Sequence, residues 1–332
     1  MADLESLSVV LMWTAIAIYA LAFLAYAFDL ASRSAKTADA KLETAKAKQL
    51  VTAGGGGGAA ADAGDAASAA SDADEAKPRY VMARIGTSLT VLGWLFHLGA
   101  TVTRGIADGH VPWSNLYEFA MIGTLLIIAV YLIVLTRLDV RYLGSFILGL
   151  VVVLLGLTST NFYVVITPLA EPLKSVWLII HVFVASLSTA LFALAFALSV
   201  MQLMQMRRER LVAEGAAKTG PGFLRTIPDS NRLESLAYRF TVVGFIAWTF
   251  TLMAGAIWAQ DAWGRFWGFD VKETWTFIIW VLYAGYIHAR ATRGWRGSRS
   301  AWLSIVGFAA VLFNFTIVNV FFKGLHSYSG LS

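Results

Sequence analysis

Residues 115–136 read NLYEFAMIGTLLIIAVYLIVLT. A bilayer core requires roughly 20 consecutive, mostly apolar helical residues, and this run supplies that length with one charged side chain, Glu118, near its start. Seven more apolar runs lie at 7–28, 81–102, 141–158, 174–205, 236–258, 273–290 and 301–322. The run at 174–205 is too long for a single crossing and is expected to project beyond the surface. All six prolines fall between the runs, which supports the boundaries, since an interior proline removes a helix hydrogen bond. The 332 residues are 58% hydrophobic and 14% charged, well below the ~25% charged of soluble chains. The expected fold is therefore an all-α integral membrane protein with about eight transmembrane helices.

The basic residues orient these helices. Of 26 Lys and Arg, 19 fall in segments 29–80, 137–141, 206–235 and 289–300. The opposite side holds Arg104, Lys174, Arg265, Lys272 and Lys323. The reading places both termini on the external side, and it makes the net charge of +5 a matter of topology rather than a nucleic-acid surface. Residues 1–8 carry Asp3 and Glu5 but no Lys or Arg, unlike the basic start of a signal peptide. The chain divides into a first transmembrane helix (1–30), an Ala/Gly-rich cytoplasmic loop (31–80) and a seven-helix membrane domain (81–330). The loop, with GGGGG at 54–58, reads as disordered because it buries too little apolar surface to offset its ordering entropy. Within it, KLETAKAKQLV (41–51) reads as a short surface helix.

The chain has no cysteine. That excludes disulfides, thiolate metal sites, iron–sulfur clusters and thiol exchange by this chain. Its aromatic residues gather in WAQDAWGRFWGFDVKETW (258–275), an external loop with four Trp. A single Trp there is explained by the interfacial aromatic belt. The density is not, and Gly264 and Gly268 beside Trp263 and Trp267 leave room for a flat ligand against indole faces. Five histidines complete the pattern. His181 and His326 bracket the Trp-rich loop in sequence and share its side of the membrane. His288 lies toward the inner end of the seventh run, His97 toward the outer end of the second, and His110 in the loop GHVPWSNLYE (109–118). A lone histidine on a helix is more often a packing residue. Two imidazoles flanking an aromatic shelf would hold a haem iron. A haem or small-molecule permease and a cytochrome b-type electron-transfer subunit stay open as alternatives; the first calls for a broken helix at the midplane, the second for His pairs on facing helices.

WGRFWGFDVKETW (263–275) resembles the tryptophan-rich signature of the CcsA-type (CcsB/ResC) cytochrome c biogenesis proteins of maturation system II. GHVPWSNLYE, LIIHVFVASLS (178–188), IHAR (287–290) and GLHSYSG (324–330) resemble further segments of that family, in the same order. The resemblance spans roughly residues 81–330. It departs at Phe269 and Val271, where the family usually has Trp and Pro. It implies haem delivery and covalent attachment to apocytochrome c, two CxxCH thiols adding to the haem vinyls on the external face of a bacterial plasma membrane or an equivalent energy-transducing membrane. His181 and His326 would be axial ligands of an external haem b, ferrous during ligation, with Asp270 beside them as a catalytic residue. Trp263, Trp267, Phe269 and Trp275 would line its shelf, and Arg104 and Arg265, with Lys272 as a further cation, would meet its propionates. Lys272 has a second reading, an interfacial lysine that snorkels. His288 would serve an inner haem whose other ligand comes from a CcsB/ResB-type partner, and a thiol-reducing partner is implied as well. Two further readings come from the residues themselves. Asp270 and Glu273 have the spacing of a capping box for the seventh helix, and His97 reads as a hydrogen bond to a neighbouring helix. Asn115, Tyr117 and Glu118 read as residues that fix their loop.

Overall fold

The computed structural model describes residues 2–53, 81–166, 168–292, 294–322 and 324–326. Its long elements are helices: α1 (Ala2–Ala53), α2 (Val81–Asp108), α3 (Leu116–Leu135), α4 (Gly144–Asn161), α5 (Val176–Ala213), α6 (Ser230–Trp263), α7 (Val271–Thr292) and α8 (Ser298–Phe315), followed by the short α9 (Ile317–Phe321). No strand occurs among the described residues.

Helix ends follow local chemistry. The Asn115 side chain accepts from the Glu118 N–H to start α3, Ser175 accepts from Trp177 N–H to start α5, and Asp229 accepts from Arg232 N–H to start α6. These side chains satisfy backbone donors that the first helical turn leaves open. Gly264 ends α6 at φ 70°, a left-handed conformation that glycine adopts at little cost.

Seven helices among the described residues are long and apolar enough to cross a membrane. The expected eighth, α7, has the length at 22 residues but not the apolarity, because Lys272, Glu273, His288 and Arg290 lie toward its two ends. As expected, α5 outruns a single crossing: its 38 residues extend about 57 Å at 1.5 Å per residue. The reading of 31–80 as a loop is corrected at its start, since α1 continues unbroken to Ala53. Residues 31–53 contain no Gly or Pro, and a helix already nucleated by an apolar span propagates readily through Ala, Lys, Glu and Leu. The GGGGG stretch lies outside the described residues, as does the end of GLHSYSG.

α5 occupies the middle of the bundle. It packs along α6 and also meets α3 and α8, while α1 runs against α2 and α4 on the far side of α3. Aromatic stacking ties the central helices together. Phe192 of α5 lies face to face with Tyr283 of α7 at 3.7 Å between ring centroids, and Phe196 stacks on Phe308 of α8 at 4.9 Å. This packing brings the start of α5, the end of α6, the start of α7 and the segment after α9 around one space.

Candidate functional site

Two histidines from distant parts of the chain line that space. His181 sits in the second turn of α5, and its Nδ1–H donates to the backbone carbonyl of Thr251 on α6 at 2.9 Å. Close helix approach makes this bond possible: a Cβ on Gly255 would stand 2.6 Å from the His181 ring. A carbonyl only accepts, so the bond fixes the tautomer and leaves the lone pair at Nε2.

His326 is fixed by a carboxylate. The start of α7 is a capping box, as expected from the sequence: Glu273 Oε2 accepts from the N–H groups of Gly268 at 2.8 Å and Asp270 at 3.1 Å, and Asp270 Oδ2 accepts from Lys272 N–H at 3.2 Å. Asp270 has a second role. Its Oδ2 also accepts from His326 Nδ1 at 2.8 Å, and its Oδ1 accepts from Leu325 N–H at 3.0 Å. The hydrogen bond from His326 holds the Asp270 carboxyl down at about 2, with smaller help from the Leu325 and Lys272 backbone N–H groups. Burial pushes the His326 imidazole below its ordinary value. A neutral imidazole donating from Nδ1 to an ionised carboxylate again carries its open lone pair on Nε2. Gly324 completes the clamp, because a Cβ there would collide with the Asp270 carboxylate.

Trp258 touches both imidazoles. Only 2% of it is exposed; its ring stacks on His181 at 5.9 Å and 21°, and meets His326 edge-on at 5.4 Å and 67°. Trp263 stands edge-on to both Trp258 (4.8 Å) and His326 (4.9 Å). Both histidines line a mostly apolar cavity of about 170 Å³ that reaches Phe119, Trp248, Phe308 and Asn314. A smaller chamber of about 70 Å³ shares His181, Trp258, Lys272 and His326 and adds Trp267. Asn314 presents a buried Oδ1 that has no hydrogen-bond partner.

The other expected residues divide. Lys272 does not snorkel: it lines both chambers, donates to Asn319 Oδ1 and lies 5.7 Å from the Phe119 ring centroid. Phe269 stands outside the shelf, 81% exposed at φ 58°. Trp275 packs into the helical core against Phe313 at 4.3 Å, and Arg265 folds over Gly268; neither lines the cavity. Arg104 is sealed elsewhere. Only 1% exposed, it donates from Nε and a terminal nitrogen to Glu118 Oε1 at 3.0 and 2.8 Å, and to the Val164 carbonyl at 2.8 Å. The far oxygen of Glu118 accepts from the Ser114 N–H and hydroxyl, so Asn115 and Glu118 do fix their loop. His97 meets the Tyr19 hydroxyl of α1 at 3.3 Å, the inter-helix bond expected of it, and His110 stays in its loop beside Asp108 at 3.0 Å. His288 is exposed on α7, about 27 Å along the chain axis from Asp270 at 1.5 Å per residue.

Sequence reasoning assigned no role to Trp258, Trp248 or Asn314. For Trp258 a signal was present, since Gly255 precedes it by three residues on one helix and so shares its face.

Residues 113–326 match the family described as "Cytochrome C assembly protein". Among similar proteins, "Cytochrome c biogenesis protein CcsA" of Guillardia theta is 34% identical over 75% of this chain and 86% of its own length. Proteins of that name from Prochlorococcus marinus and Synechococcus sp. are 34% and 35% identical, each over 68% of this chain and 78% and 81% of their own. A solved structure, "Cytochrome c Heme Lyase CcmF", shares the fold with a TM-score of 0.56 at 16% identity; the match covers 95% of this chain and 46% of that one.

Proposed function

This chain belongs to the cytochrome c assembly protein family, and on that premise we propose that it presents haem for covalent attachment to apocytochrome c, as the CcsA-type subunit of a system II synthase. The observation that carries this reading is the paired state of His181 and His326. Both rings line one cavity, each has Nδ1 tied to an acceptor, and each therefore offers Nε2. Histidines that ligate metals characteristically donate their other nitrogen to a carbonyl or carboxylate. No group of three His, Asp or Glu able to hold a bare metal ion occurs among the described residues. Two imidazoles suit an iron whose remaining four ligands come from a macrocycle.

The donor set and the apolar walls fit haem b. The enclosed volume, about 170 Å³, falls short of the ~300–1,000 Å³ usual for small-molecule pockets, so haem would need the site to be wider than it is here. The Trp-rich loop and the 324–326 clamp are the parts that line it from outside the bundle. Haem supplies two vinyl groups to which the CxxCH thiols of the substrate add, best with the iron ferrous. This chain supplies position: Trp258, Trp263 and Trp267 give aromatic surface, Asp270 sets the tautomer of His326, and Lys272 supplies a cation for a propionate. Having no cysteine, it offers no competing thiol. His288, exposed on α7, is open to an inner haem whose second ligand comes from a CcsB/ResB-type partner. The working face is the external side of a bacterial plasma membrane, opposite most of the Lys and Arg. A cytochrome b-type subunit is disfavoured, since His110, 13 residues from His97, lies in a loop beside Asp108 and not on a facing helix.

The test is co-expression with a c-type cytochrome. His181→Ala and His326→Ala each reduce maturation to background, and exogenous imidazole restores part of it; full maturation in the double variant would overturn the ligand assignment. Haem content of the purified complex, read by absorption, drops in His288→Ala if the inner site exists, and an unchanged spectrum removes that site.

A further inference from the structure

At the end of α6 opposite the Trp-rich loop lies a second cleft, of about 450 Å³. Three separate segments build it: Arg33 of α1, the connection between α3 and α4 with Asp139 and Tyr142, and the approach to α6 with Arg225 and Arg232. The first and third are docked together, the Phe223 N–H donating to Ser34 Oγ at 2.9 Å. The acids in and beside the cleft are engaged by other arginines: Asp29 takes Arg33 Nε at 2.6 Å, and Asp139 takes Arg141 at 2.8 and 2.9 Å. Two guanidinium groups are not engaged in this way. That of Arg225 reaches only the Thr219 hydroxyl at 3.5 Å, and that of Arg232 makes no ion pair or hydrogen bond among the described residues. Beside them the Tyr142 hydroxyl is buried, lines the cleft and has no hydrogen-bond partner. A buried hydroxyl without a partner is a costly arrangement.

We propose that this cleft binds a phosphate-class anion, held by Arg225 and Arg232 with the Tyr142 hydroxyl donating to it. Guanidinium forks match phosphate oxygens in charge and geometry, and the hydroxyl supplies a donor from below. The cleft lies on the side that carries most of the Lys and Arg, where the phosphate of an inner-leaflet lipid would sit; free phosphate is the other source. Either would bridge α1 to the connections that frame α4 and α6, and so fasten the first helix to the bundle that holds the two histidines.

The experiment uses the full chain in discs of mixed phosphatidylglycerol and phosphatidylcholine, with lipid retention read by native mass spectrometry, and a parallel titration with inorganic phosphate read by thermal stability. The expected result is selective retention of phosphatidylglycerol, falling about tenfold in R225Q/R232Q and several-fold in Tyr142→Phe, as charge-assisted and neutral donors are lost. Protection by inorganic phosphate alone, absent from the variants, supports the same site with a soluble ligand. Equal retention and equal protection in wild type and variants, or no binding of either probe, overturns the proposal. Should the double variant not accumulate, Tyr142→Phe decides alone, since removing an unpartnered hydroxyl has no other reason to weaken phosphate binding.

Discussion

Two polar clusters lie at the same end of this bundle, and they are built on opposite rules. Around Arg104 the charges are paired off: Glu118 takes the guanidinium on one oxygen and Ser114 on the other, while Tyr163 bonds Glu5, which stands 3.5 Å from Arg104. Around Trp258 each histidine is held by one nitrogen and left open at the other. A buried ion pair whose carboxylate is bonded on both oxygens holds a loop in place. An imidazole fixed in tautomer and orientation but open at Nε2 is prepared for a ligand from elsewhere. The Arg104–Glu118 pair is fully buried and the two histidines are half-buried; beyond that, the difference lies in whether the basic group already has its partner.

The comparison breaks first at Glu118. Glu118→Ala strands a buried guanidinium and should cost about 3–5 kcal/mol of stability, seen as loss of folded protein in the membrane. Normal accumulation with reduced haem content would instead move Arg104 into the haem site. Asp270→Asn probes the open cluster. It keeps the shape but removes the carboxylate behind His326, and haem affinity should fall about 10–100-fold, as loss of such supporting partners does, while the protein still accumulates. Unchanged affinity would reduce Asp270 to a helix cap.

The smallest effect is on pH. In the haem-free protein the clamp at 324–326 is stable while His326 is neutral and Asp270 ionised. Burial holds the His326 imidazole below its ordinary value, so its contribution is complete above about pH 6.5 and is lost as the pH falls below that toward the lowered value of the folded protein. Asp270, lowered to about 2, contributes above the ordinary carboxylate range and loses its share as the pH drops through it. Tryptophan fluorescence from Trp258 and Trp263 should therefore be flat above neutrality and change in two steps on acidification. His326→Gln should lose the upper step.

Much of this was legible in the sequence. Seven of the eight apolar runs coincide with helices long and apolar enough to cross a membrane, because a bilayer core sets a minimum apolar length for every helix that crosses it. The Asp270–Glu273 capping box is local, set by residues three apart, and the structure places it where the spacing does. The continuation of α1 to Ala53 was obscured by low complexity, although its residues favour helix. Arg104 and Lys272 were the harder cases. A cation on the external side can meet a propionate, a carboxylate of its own chain or the solvent, and nothing along the chain chooses between Glu118, 14 residues away, and a cavity.

The sequence by itself determined that this chain is a bundle of membrane helices, which end carries its aromatic loop, and which family it belongs to. These properties rest on composition, spacing and local bonding. Only the tertiary structure decided that His181 and His326, 145 residues apart, line one cavity and both touch Trp258, that Lys272 turns inward, and that Phe269 and Trp275 stand away from it. Those are matters of which helices pack against each other, and the choice is made by contacts such as Gly255 against His181 and Gly324 against Asp270, where one added carbon would keep the partners apart.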